Sequence, residues 1–195
     1  MSDQRGGVLL PIARAAIARA LNIPHTADES APWLAVPGAC FVTLTQSGEL
    51  RGCIGTLQAQ RSLLEDVKNN AVSAALHDPR FTPLSMEELD ITTIEISLLS
   101  STQAMKVRDE ADALAQLRPG LDGIIFEYGR YRSTFLPQVW ENLAQPRDFL
   151  AMLRRKAGLP DDFWAEDVKL WRYSVTKWSE PEKLFAGHTK EHQHG

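Results

Sequence analysis

Residues 39–45 and 50–57 are two runs of alternating apolar and polar side chains, separated by Gln46-Ser47-Gly48. No other feature limits the fold as much. A period of two over so short a run marks a half-buried strand, and a glycine-bearing turn between two such runs closes an antiparallel hairpin. A second hairpin reads out at 123–128 and 131–136 around Gly129-Arg130, and residues 91–99 alternate as a further strand. Strands that come as hairpins, without regular strand–helix alternation, argue against a doubly wound parallel sheet. They predict an α+β fold with antiparallel sheets.

The helical signals fit between these strands. Residues 8–21 carry an apolar stripe, in which Pro11 is compatible only with the first turn. Ser62 to Glu65 and Ser85 to Glu88 are capping boxes, the first opening a helix to Leu76. Residues 109–117, 137–142 and 147–157 read as helices, with Gly158 as the stop of the last, and 168–178 as a final strand. Breaks near 100–103 and 159–162 mark out an inserted subdomain, 103–160. Residues 1–102 and 161–195 then form a larger subdomain that contains both termini.

Composition narrows the function classes. With 21 basic against 25 acidic residues and no basic stripe, nucleic acid is not an expected partner. No apolar run approaches the roughly 20 residues of a membrane span. Two cysteines are too few for a secreted disulfide scaffold, and the first residues do not read as a signal peptide, so a reduced, cytoplasmic protein is expected. No phosphate loop, nucleophile elbow or zinc cluster appears. His188, His192 and His194 lie in a polar tail, where adventitious metal binding is the better reading. No cofactor and no resident metal are expected.

The turn decides where Cys53 points. A three-residue turn with Gly48 in the left-handed position pairs Leu44 with Leu50, Val42 with Gly52 and Cys40 with Ile54. Cys53 then lies opposite Phe41 and Arg51 opposite Thr43. Arg51, Cys53 and Gly55 share the face of Phe41, Thr43 and Thr45, while Cys40 lies on the other face, which excludes a disulfide.

Leu50-Arg51-Gly52-Cys53-Ile54-Gly55 is followed by an Ala-rich helix end at 71–76, by Asp78-Pro79-Arg80-Phe81 and by Pro83-Leu84. Further on stand Phe135-Leu136-Pro137-Gln138-Val139-Trp140 and Lys156-Ala157-Gly158-Leu159. Together these motifs resemble the AMMECR domain family, in its bacterial form called AmmeMemoRadiSam system protein A, from about Leu9 to Glu180. The resemblance implies two unequal subdomains, each an antiparallel sheet with flanking helices, and places the 50–55 signature toward a cleft between them. It implies no particular reaction. It does suggest a Memo-type protein and a radical S-adenosylmethionine enzyme as partners.

The candidate ligand-binding residues are Leu50, Arg51, Gly52, Cys53, Ile54, Gly55, Asp78, Arg80 and Glu95. Cys53 reads either as a nucleophile, with Arg51 lowering its pKa and His77 as the base, or as a small packing residue between two glycines. Asp78 and Arg80 read as a charge pair that presents a planar guanidinium to an anion, or as a lock on their own loop. Glu95, on the polar face of its strand, is expected to face Arg51. Two functions follow: a binding protein that takes a protein segment or sizeable ligand at the signature, or an enzyme that uses Cys53 as an activated thiol.

Overall fold

The computed structural model describes residues 3–183; the histidine tail lies outside them. The fold is α+β. The described residues divide into two compact units, one formed by Leu99–Thr176 and the other by residues 3–98 together with 177–183.

In the first unit, α1 (Asp3–Ala20) leads through a 3-10 turn to β1 (Pro37–Gly38), β2 (Cys40–Gln46) and β3 (Glu49–Gly55). Then come β4 (Arg61–Ser62), α2 (Leu63–Leu76), α3 (Met86–Leu89) and β5 (Thr93–Leu99). The strand β10 (Val175–Ser179) completes a four-stranded sheet of order β10-β5-β2-β3, while β1 pairs with β4. The β2–β3 and β2–β5 pairings are antiparallel. Both capping boxes form: Ser62 and Glu65 exchange side-chain and backbone bonds at the start of α2, and Ser85 and Glu88 do so at α3. Cys40, Val42 and Leu44 of β2 and Ile94 and Ile96 of β5 are fully buried against α1 and α2. The opposite side chains of β2, Phe41, Thr43 and Thr45, are half-buried. That is the alternation of a sheet with one core-facing side.

In the second unit, β6 (Gln103–Ala104), α4 (Glu110–Gln116), β7 (Gly123–Tyr128), β8 (Tyr131–Phe135), α5 (Pro146–Ala157) and β9 (Lys169–Tyr173) build a sheet of order β6-β9-β7-β8. Its core joins Ala113 of α4 and Phe149, Leu150 and Leu153 of α5 to Ile124, Phe126 and Leu170 of the sheet. Trp140 stacks on Phe149 at 3.8 Å and donates its indole N–H to the Asp122 carbonyl at 2.7 Å. Gly158, at φ 92°, ends α5 in the left-handed conformation.

Several expectations are corrected. The helix expected over 8–21 begins at Asp3, so Pro11 sits in its interior. The added first turns pass close to Trp178, whose ring a Cβ on Gly6 would meet at 2.5 Å. Burial of Leu9, Ile12, Ala13 and Ile17 offsets the one backbone bond that the proline removes. The helix read over 137–142 is present as a 3-10 helix, Pro137–Glu141. The strand expected over 168–178 breaks at Ser174 into β9 and β10, which belong to different sheets.

Candidate functional site

The signature occupies β3, at the edge of its sheet. The turn before it has two residues, Ser47 and Gly48, at φ 50° and 79°, the paired left-handed geometry of a tight hairpin. Gln46 pairs with Glu49 and Thr45 with Leu50; the register then slips, and Leu44 pairs with Gly52, Thr43 with Cys53, Val42 with Ile54 and Phe41 with Gly55. Arg51 is the extra residue of a β-bulge. The expected pairing is therefore corrected: Cys53 lies opposite Thr43, not Phe41, and Arg51 has no partner on β2. Beyond the bulge the two registers differ by two residues, which leaves the faces of 52–55 unchanged, whereas Leu50, expected opposite Leu44 on the core face, pairs with Thr45 and is exposed. Cys53 still shares its face with Thr43, and Cys40 still points into the core.

Close approach explains both glycines of the signature. A Cβ on Gly52 would stand 2.2 Å from the Ala74 carbonyl oxygen, so only glycine lets β3 lie on the backbone of α2. A Cβ on Gly55 would meet the Phe41 ring at 2.3 Å. Leu50 is exposed, and Ile54 packs at the margin of the core.

The loop after α2 closes on this edge. His77 caps the helix, its backbone N–H donating to the Ser73 carbonyl at 2.9 Å, and its side chain is exposed. Asp78, only 4% exposed, turns inward. Its Oδ2 accepts the backbone N–H of Cys53 at 2.9 Å and Arg80 Nη2 at 2.7 Å. Its Oδ1 accepts the backbone N–H of Arg80 at 3.1 Å and Arg80 Nε at 3.0 Å. Arg80 Nη2 also donates to the Cys53 carbonyl at 3.2 Å. The two side chains thus bind both backbone groups of Cys53, as a neighbouring strand would. The Arg80 guanidinium, followed by the Cys53 and Arg80 backbone N–H groups, holds the Asp78 carboxyl well below the usual carboxylate range, against the opposing effect of burial.

The Cys53 thiol is half-buried and accepts a hydrogen bond from the Thr43 hydroxyl at 3.3 Å. Glu95 lies across β2 from Cys53, paired in register with Thr43, and its carboxylate takes the Ser179 hydroxyl at 3.0 Å and Lys177 Nζ at 3.6 Å. The expectation that Glu95 faces Arg51 is therefore corrected. Arg51 pairs with Glu88, Nε to Oε1 at 3.0 Å and Nη2 to Oε2 at 3.1 Å, and this holds the Glu88 carboxyl below its ordinary value. The same Glu88 caps α3 through the Ser85 N–H at 2.9 Å. Its capping role was visible in the sequence, but its hold on Arg51 was not.

The arrangement brings together Cys53, Asp78 and Arg80 by direct contact, and Cys53 with Glu95 through Thr43. Arg51 is turned to Glu88, and no hydrogen bond or ion pair joins His77 to Cys53 among the described residues. Thr43 was missed as a site residue; its place on the polar face of the first alternating run was the available signal. Cys40 is buried, and burial, reinforced by the nearby Asp66 carboxylate, pushes its thiol far up. No group of three or more His, Cys, Asp or Glu side chains suited to a metal is present among the described residues. No helix among them is long and apolar enough to cross a membrane.

Comparison with known proteins places this geometry. The family model described as AMMECR1 matches residues 10–178. Protein MJ0810 of Methanocaldococcus jannaschii is 41% identical over 151 residues, covering 73% of either chain. A protein of Aeropyrum pernix is 40% identical over 93% of this chain and 81% of its own length. The crystal structure of the uncharacterized protein PH0010 from Pyrococcus horikoshii superposes with a TM-score of 0.76 at 32% identity, covering 92% of this chain and 93% of that one.

Proposed function

The chain belongs to the AMMECR1 family, and on that footing we propose that it is a binding protein, which takes a protein segment or a ligand of similar size onto the face of β3 that carries Cys53. One observation supports this above the rest: Asp78 and Arg80 hold both edge-facing backbone groups of Cys53. A strand fixed in this way, and pressed onto α2 at Gly52, presents its outer side chains in one arrangement. Ligands that meet a preorganised surface lose less free energy to ordering it. The half-buried thiol, the Thr43 hydroxyl and the Glu95 carboxylate then offer a polar strip for side chains and backbone groups of the ligand, with exposed Leu50 beside it. A Memo-type protein or a radical S-adenosylmethionine enzyme is the partner that the family context puts first.

A second reading, an enzyme with Cys53 as its thiol nucleophile, draws on the Arg80 guanidinium beside the Cys53 backbone. Among the described residues it lacks a proton acceptor in contact with the sulfur, since Thr43 donates to it, and neither Arg51 nor His77 is bonded to it. Catalysis by an activated thiol needs such a base or an equivalent cation within reach.

Titration calorimetry of the wild type and of Leu50→Glu, Cys53→Ser and Glu95→Gln, each against a purified Memo-type protein and a purified radical S-adenosylmethionine protein, tests the proposal. At least a tenfold loss of affinity in two of the three variants, with unchanged melting, is the expected result. Undiminished binding in all three, or no binding by the wild type, overturns it.

A further inference from the structure

The second unit carries a groove that the β3 site does not use. Segment 103–105 runs along the free edge of β9: Gln103 pairs with Arg172, Ala104 with Trp171, and the Met105 N–H donates to the Leu170 carbonyl at 2.8 Å. The chain then leaves β9. The Lys106 carbonyl accepts Gln116 Nε2 of α4 at 2.9 Å, and the Arg108 backbone N–H donates to Asp112 at 2.9 Å. Both bonds hold 106–108 on α4, and a cavity of about 430 Å³ opens between that segment and residues 168–171.

The lining has two characters. Trp171 is half-buried and gives an apolar floor, while Met105 and Val107, also on the lining, pack against the core of the second unit. Lys106, Arg108 and Lys169 are exposed on the same lining and are all basic. Arg108 meets Asp112 only at 3.4 Å, and its side chain is 86% exposed. Neither Lys106 nor Lys169 has an ion-pair partner among the described residues; Glu127, across from Lys169 on β7, pairs with Arg132 instead. Three cations around an apolar floor, in a protein of net charge −4, form a local field opposite to that of the whole chain. An unfilled position beside a strand edge is also the place where an extended chain adds to a sheet.

We infer that this groove binds an extended segment of another protein, in which carboxylates flank an apolar side chain. The apolar residue lies on Trp171, and the carboxylates meet Lys106, Lys169 and Arg108. Charge complementarity selects this occupant over a neutral or basic peptide, because a basic segment sets like charges together in a confined site.

Fluorescence anisotropy with labelled Glu-Glu-Leu-Phe-Glu-Glu, and with the same peptide carrying Gln or Lys in place of Glu, tests the inference on the full chain. The acidic peptide is expected to bind at least tenfold more tightly than the Gln form, with the Lys form weakest. The double variant Lys106→Glu, Lys169→Glu changes only exposed side chains; it should lose at least tenfold for the acidic peptide at unchanged melting, and 150 mM salt should weaken wild-type binding. Hydrogen exchange should slow at 104–108 and 168–171. Binding that ignores peptide charge, persists in the double variant, protects other segments or is absent at millimolar peptide overturns it. So does an acidic peptide that acts only by dissociating a dimer through this face, which would make a second copy the occupant.

Discussion

Replacement of Asp78 by alanine measures how firmly the site strand is held. The substitution removes the acceptor of two backbone N–H groups, those of Cys53 and Arg80, and of the Arg80 guanidinium. An unpaired buried donor costs about 1–3 kcal/mol. Cys53 is half-buried and Arg80 exposed, so water reaches both in the variant, and the low end of that range applies. Roughly 1 kcal/mol for each of the two N–H groups gives a loss of about 2 kcal/mol. With a urea slope of about 2 kcal/mol/M the midpoint falls by about 1 M. Native-state exchange of the Cys53 amide should quicken by about 30-fold if it opens with that free energy, since 1.4 kcal/mol is a factor of ten. Amides of β7, in the other unit, should not change. The pH dependence has a definite sign. The folded-state pKa of Asp78 is depressed, so its contribution is complete above the unfolded carboxyl value of about 3.9 and is lost as pH falls below that toward the folded value. The difference between wild type and variant should be constant from pH 7 to about 4 and shrink only in stronger acid. A midpoint shift under about 0.2 M, or a difference that shrinks between pH 7 and 5, would refute the reasoning.

Three further outcomes are expected. Gly52→Ala forces a Cβ to 2.2 Å from the Ala74 carbonyl and should cost about 3 kcal/mol, lowering the melting temperature by roughly 6–12 °C in calorimetry. In a double-mutant cycle Arg51→Ala and Glu88→Ala should couple by about 1 kcal/mol, because the pair is bidentate and Arg51 is only 12% exposed; additive losses would show that the contact contributes nothing. Peptide-resolved mass spectrometry after native alkylation should find Cys53 modified and Cys40 intact, since Cys40 is fully buried and its thiol is held protonated.

Local patterns were legible where a few neighbouring residues decide the outcome. The capping boxes at Ser62 and Ser85, the glycine stop at 158, the second hairpin, the buried side chains of β2 and the buried Ile94 and Ile96 of β5 all follow from side-chain spacing alone. The first hairpin shows where that kind of reading ends. Ser47 accepts a left-handed conformation that its residue type does not advertise, which shortens the turn, and a bulge at Arg51 then absorbs the shift. Apolar periodicity sets only which face a residue takes, so a two-residue change of register leaves no trace in the pattern. The contacts that organise the site were beyond such patterns. Asp78 meets a backbone N–H 25 positions away, and Arg51 chooses Glu88, 37 positions away, over Glu95. Side-chain capping of a strand edge has no sequence period to reveal it.

The central claim is that the Cys53 face of β3 is a binding surface. The most direct measurement is the rate of Cys53 alkylation in the free protein and in the presence of saturating Memo-type or radical S-adenosylmethionine partner, with Cys40 as the internal control. A partner seated on this face shields the half-buried thiol, and the account predicts at least a tenfold slower reaction at Cys53 with Cys40 unmodified throughout. A complex that forms while Cys53 reacts at its free rate, or no complex with either protein, would contradict it.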